Sequence, residues 1–108
     1  MADIDLIINS LHTIATAPYI SVKGGPPSSR KTGHQLAFEA LQGSAGQVEQ
    51  ILRANRNPSR DSQENITAQF DTIKKNVGAY CPKTEGTDDV LRAFNKASSE
   101  WELFCSGG

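Results

Sequence analysis

The sequence predicts an all-α fold, an antiparallel bundle of about four helices, on three observations. Apolar residues recur at intervals of three and four in four separate stretches, the spacing of one helix face and not the alternation of a strand. The five prolines and most of the nine glycines fall between or at the edges of those stretches, where they end helices. The connections after the second and third stretches are short, as between antiparallel neighbours. At 108 residues the chain is expected to form a single helical domain spanning 1–108, long enough to bury a core without metals or disulfides.

The first helix is expected from Asp3 to Ala17. Ile4, Ile7, Ile8, Leu11, Ile14 and Ala15 line its apolar face, Asp3 is placed to cap it, and Asp5 suits the positive end of the helix dipole. Pro18 stops it. Residues 19–31 then read as a flexible Gly/Pro-rich linker. Tyr19-Ile20-Ser21-Val22 alternates briefly, enough to lay Ile20 or Val22 on the bundle, and Gly24-Gly25-Pro26-Pro27-Ser28-Ser29 holds no regular element. A linker of that length also allows the first helix to cross the bundle instead of lying beside the second.

Thr32-x-x-Gln35 has the form of a capping box and opens the second helix. Ala37, Leu41, Ser44, Ala45, Val48, Ile51 and Leu52 continue one face to Ala54. Gly43 and Gly46 each cost about 1 kcal/mol against alanine; either they let another helix approach closely or the helix breaks there into two short pieces, and the persistence of the pattern across them favours the continuous helix. The third helix has two plausible starts, Asn57-Pro58 and Asp61-x-x-Glu64. Ile66, Phe70, Ile73, Val77 and Tyr80 form its seam, and Cys81-Pro82 ends it. The fourth begins at Thr87 with Asp88 and Asp89 in its first turn. It carries Val90, Phe94, Ala97, Trp101 and either Phe104 or Cys105 inward, and Gly107-Gly108 frays its end.

Charge narrows the function classes. A net charge of −1 supplies no overall field that would recruit nucleic acid or an anionic membrane, so neither is an expected partner. No apolar run approaches the roughly 20 residues of a membrane span. Asp3 and Asp5 stand where a secretory signal would be basic, which leads to the expectation of a cytoplasmic protein with reduced thiols. In a hairpin of the third and fourth helices, Cys81 sits at the turn and Cys105 at the far end. About 18 residues of helix separate them by roughly 27 Å, far beyond disulfide reach.

Motifs that carry chemistry are sparse. Gly25 to Thr32 comes near the phosphate-loop pattern, but Arg30 occupies the place of the second glycine and two prolines remove amide donors. Arg30 and Lys31 remain candidates for contact with an anion at the start of the second helix. His12 and His34 have no partner at metal-ligand spacing, and no cofactor motif is present, so no metal, no cofactor and no catalysis are expected. Arg53, Arg56 and Arg60 bracket one turn as a local basic patch. Trp101 is a core residue first and an interface anchor second, while Phe38 and Phe104 widen the seams toward an apolar patch.

The expected function is a small non-catalytic protein-binding module, working as an adaptor, a regulator or a self-associating bundle. Its candidate interaction residues are Trp101, Phe104, Phe38, Arg53, Arg56 and Arg60. The alternative is a bundle holding a hydrophobic small molecule or lipid between its helices.

Overall fold

Asp3 accepts a hydrogen bond from the Leu6 amide at 3.1 Å and so caps helix α1 (Ile4–Thr16) where the sequence placed the cap. In the computed structural model, which describes residues 3–20, 33–81 and 86–106, three further helices follow: α2 (Gly33–Ala54), α3 (Arg60–Tyr80) and α4 (Asp88–Cys105). There is no strand among the described residues. The helix α2 runs unbroken through Gly43 and Gly46, as its apolar pattern requires. Thr32 of the predicted capping box, and residues 21–31 of the predicted linker with Arg30 and Lys31, lie outside the described residues.

Two helix starts differ in detail from the sequence-based expectation. At α3 the cap is Ser59, whose hydroxyl accepts the Ser62 amide at 3.3 Å, not Asn57 or Asp61. Asn57 instead donates its amide to the side-chain oxygen of Asn55 at 3.0 Å, a local turn that carries the chain through Pro58 before the helix begins. At α4, Thr87 holds the cap position, but its hydroxyl donates to the carbonyl of Cys81 at 3.1 Å and makes no cap bond. The last carbonyls of α3 lack intrahelical donors, and Thr87 meets one of them across the turn. Gly86, at φ +84°, supplies the left-handed residue that this turn uses.

Each helix runs antiparallel to its neighbours, and the four close a ring. The pairs His12–Glu49 and Asp5–Arg56 align α1 against α2, Gln47–Gln69 aligns α2 against α3, Thr67–Trp101 aligns α3 against α4, and Asp3–Glu100 returns α4 to α1. The first helix therefore lies beside the second, and the linker does not carry it across a diagonal. Gln42 secures that placement: its amide nitrogen lies 3.1, 3.2 and 2.8 Å from the carbonyl oxygens of Ile14, Ala15 and Ala17, at the end of α1. The Ala15 carbonyl belongs to the last turn of α1, where intrahelical donors run out, and the Ile14 carbonyl also accepts the Ala17 amide at 3.3 Å.

Side-chain size sets how closely each pair packs. Small residues, Ser10 and Ala93, sit between α1 and α4, Ala97 is buried on α4, and Ala37, Ser44 and Ala45 lie on the buried face of α2. Between α3 and α4 the contact is made by Phe70, Phe94 and Trp101, and these two helices approach each other least of the four adjacent pairs. Interaxial distance follows the side chains at the contact, so one seam of the bundle is wide and three are narrow. The molecule measures 47 × 21 × 19 Å. No helix among the described residues is long and apolar enough to cross a membrane.

Two substitutions test this packing by chemical denaturation. Phe70→Ala, at a buried ring, is expected to cost about 3–5 kcal/mol. Gly43→Ala is expected to raise stability by about 0.5–1 kcal/mol, since a methyl group there meets no atom within 4 Å and the helix gains propensity.

Candidate functional site

The bundle has two chemically different ends. One gathers the start of α1, the end of α2, the start of α3 and the end of α4. Here Trp101, 3 % exposed, lies between Phe70 and Phe104, with ring centroids 5.9 and 5.2 Å away and planes within 19° and 18° of parallel. Its indole N–H donates to the Thr67 hydroxyl at 3.0 Å. A buried indole needs such an acceptor, and Thr67 meets the need from the rim of the wide seam. Phe104 is half-buried and covers the outer face of the stack.

Beside the stack, the wide seam opens into a cleft of ≈ 350 Å³ lined by Arg60, Gln63, Glu64, Thr67 and Cys105. Ser59 fixes Arg60 as the first residue of α3 and so sets it opposite the end of α4. Farther along the same seam, Leu91 is 39 % exposed. It lies on the flank of α4 that also carries Ser98 and Cys105, seven residues apart and hence two turns apart on one helix face.

The three arginines share this end without forming one patch. Arg53 donates to Glu49 at 2.7 Å, and His12 shares the same carboxylate at 3.2 Å. Arg56 pairs with Asp5. Only Arg60 turns into the cleft. Arg56–Asp5 and the His12–Glu49 contact tie α1 to α2, while Arg53 pairs with Glu49 within α2, so the three arginines present no single basic surface.

Phe38 lies at the other end, 3 % exposed, among Tyr19, His34 and Tyr80. This cluster fastens the chain that leaves α1. The backbone amide of Ile20 donates to the Tyr80 hydroxyl at 3.0 Å, and Tyr19 reaches His34 Nδ1 at 3.1 Å. His34 Nε2 lies 3.2 Å from the Tyr80 carbonyl. A carbonyl only accepts, so Nε2 carries the proton and, in the neutral ring, Nδ1 accepts the Tyr19 hydroxyl hydrogen. Tyr19 and Ile20 are thus docked on the bundle: Ile20 takes the place the brief alternation allowed it, and Tyr19 joins it although the sequence puts both in a flexible linker. Burial raises the Tyr80 hydroxyl above its ordinary pKa, against the opposing pull of the Ile20 amide. Burial also raises the Cys81 thiol, which points at the Thr87 carbonyl 3.9 Å away.

The structure therefore stacks Phe104 on Trp101, links Trp101 through Thr67 to the cleft that holds Arg60, leaves Arg53 and Arg56 in ion pairs nearby, and places Phe38 in the core of the opposite end. The Tyr19–His34–Tyr80 network and the Thr67–Trp101 bond have no sequence signal, because their members stand 15 to 60 positions apart with no motif linking them. Among the described residues no three His, Cys, Asp or Glu side chains converge as metal ligands. No family model matches the chain, and no curated protein or solved structure matches it.

Both cysteines are free, Cys81 buried and Cys105 exposed. Alkylation of the folded protein is expected to label Cys105 rapidly and Cys81 only on unfolding, read by intact mass with and without denaturant. The raised pKa values of Tyr80 and Cys81 also give a sign for alkaline stability. Both groups lose their protons more readily in the unfolded chain, so their contribution is complete below the ordinary thiol range of about 8.5 and falls as pH climbs through about 10. Urea midpoints measured from pH 7 to 11 are expected to decline over that interval, and less steeply in Tyr80→Phe.

Proposed function

We propose that this chain is a non-catalytic protein-binding module that receives one amphipathic helix of a partner along the α3–α4 seam. The observation that carries the reading is the unequal packing of the ring: the aromatic wedge keeps α3 and α4 apart, with Leu91 part-exposed along the gap and the ≈ 350 Å³ cleft at its end. A helix laid in that groove adds a fifth member to the bundle and covers Leu91 with an apolar residue of its own. Arg60 and Glu64 at the mouth offer one charge of each sign, which suits orientation more than affinity. Trp101 serves the site from beneath by holding the groove open, and Phe104 closes the stack at its edge.

The test is site-specific photo-cross-linking from position 91, from position 105 and from Gln50 on the exposed face of α2. Discrete adducts of one polypeptide from the two seam positions, absent from position 50 and lost in Leu91→Asp, support the reading. An adduct of twice the chain mass identifies a second copy as the partner. Equal labelling from all three positions, or none from the seam, refutes it.

A further inference from the structure

Ser10 lies on the inward face of α1, 6 % exposed, yet its hydroxyl forms no hydrogen bond with any described residue. Its neighbours Thr13 and Thr16 turn their hydroxyls back to carbonyls four residues earlier, Asn9 at 3.0 Å and His12 at 2.8 Å. Among the described residues no polar side-chain atom is both sealed from solvent and without a partner. The little surface that Ser10 leaves open therefore includes its oxygen. The opening is a groove of ≈ 280 Å³ between α1 and α4, walled by Leu6, Asn9, Ser10 and Thr13 on one side and by Asp89, Ala93 and Lys96 on the other.

The charged members of that groove are also without partners. Neither Asp89 nor Lys96 makes an ion pair or hydrogen bond with a described residue. They stand seven residues apart, two turns along one face of α4, so about 10 Å separates their backbone positions. Ala93 lies between them and keeps the floor low. Across the groove, the Asn9 carboxamide and the Ser10 hydroxyl supply both donors and acceptors.

We propose that the α1–α4 groove is a binding site for a small extended zwitterion, with its ammonium end at Asp89, its carboxylate end at Lys96 and a polar middle on Ser10 and Asn9. Pockets for drug-sized molecules begin near 300 Å³, so this one takes something smaller. A free α-amino acid carries its two charges one carbon apart and reaches only one end. Two extended residues span about 7 Å, and the flexible Lys96 stem closes the remainder, so an unblocked dipeptide is the simplest molecule that meets all four groups. Its peptide unit offers an N–H and a carbonyl where the groove offers Ser10 and Asn9. The groove lies on the α1–α4 side of the ring, apart from the α3–α4 seam, and its occupation does not depend on a protein partner.

The experiment is a titration of the full ¹⁵N-labelled chain with glycyl-valine to millimolar concentration, followed by amide chemical shifts. Shifts centred on Asn9, Ser10, Ala93 and Lys96 are expected, with binding weakened about tenfold or more when the dipeptide is N-acetylated or C-amidated, roughly 1.4 kcal/mol at each end. The variants assign the ends. In Asp89→Asn the acetylated and free dipeptides bind alike, in Lys96→Gln the amidated and free forms bind alike, and Ser10→Ala weakens all forms several-fold while keeping its thermal midpoint. Absence of groove shifts at millimolar ligand, or equal affinity for the free and doubly blocked dipeptides, overturns the assignment.

Discussion

Phe70, Phe94 and Trp101 occupy the contact between α3 and α4, and their bulk sets the geometry of the whole ring. The four antiparallel helices close a ring in which α3 and α4 approach each other least and the other three adjacent pairs pack more closely. The small residues Ser10 and Ala93 sit where α1 and α4 approach closely. Three aromatic rings contribute more buried area per residue than aliphatic side chains do, which lets the wide seam stay stable with fewer close backbone contacts. The Thr67–Trp101 hydrogen bond then fixes the height at which the wedge sits, because an indole N–H buried without an acceptor carries a desolvation cost of about 1–3 kcal/mol.

The polar interactions are divided between the two ends and do different work there. Around Asp3, Asp5, Glu49, Arg53 and Arg56 they are exposed ion pairs and a helix cap, each worth little alone but together setting the register of α1 against α2 and α4. Around Tyr19, His34 and Tyr80 they are part-buried hydrogen bonds that hold the segment leaving α1. Gln42 links the two tasks, because one carboxamide meets both the last carbonyls of α1 and the carbonyl of Ala17 just beyond it.

The helices were legible because periodicity records a local constraint: each residue at a three- or four-residue interval has to face inward for its own helix to stay packed. Ile7, Leu11 and Ile14, or Ile66, Phe70, Ile73 and Val77, state the buried face before any tertiary contact is known, and the unbroken course through Gly43 and Gly46 follows from the same pattern. Caps were less legible. Asp3 caps α1 as its position suggests, but Ser59 and not Asn57 caps α3, two residues further on, after a turn in which the Asn57 amide donates to the Asn55 side chain. The candidate site was only half legible. Trp101, Phe104 and Arg60 were marked by residue type; the structure stacks the two rings on each other and sets Arg60 in the cleft that Thr67 shares with Trp101. The groove at Ser10, the part-exposed Leu91 and the docking of Tyr19 arise from the spacing between helices, a property of pairs distant in sequence. Arg53 and Arg56 show the converse: residues that read as one basic run take separate acidic partners, Glu49 one turn back on α2 and Asp5 on α1.

The separation of the two aromatic groups has a spectroscopic consequence. The chain has one tryptophan and two tyrosines. Trp101 belongs to the stack at the α3–α4 seam, while Tyr19 and Tyr80 both belong to the cluster at the opposite end. Nature has thus placed two intrinsic chromophores of different absorption at the two poles of an elongated molecule. Indole emission follows the seam, phenol absorption follows the docked segment after α1, and neither needs a label. Loss of the two signals at one midpoint identifies a bundle that opens as a unit, and a gap between them measures how far one pole melts ahead of the other.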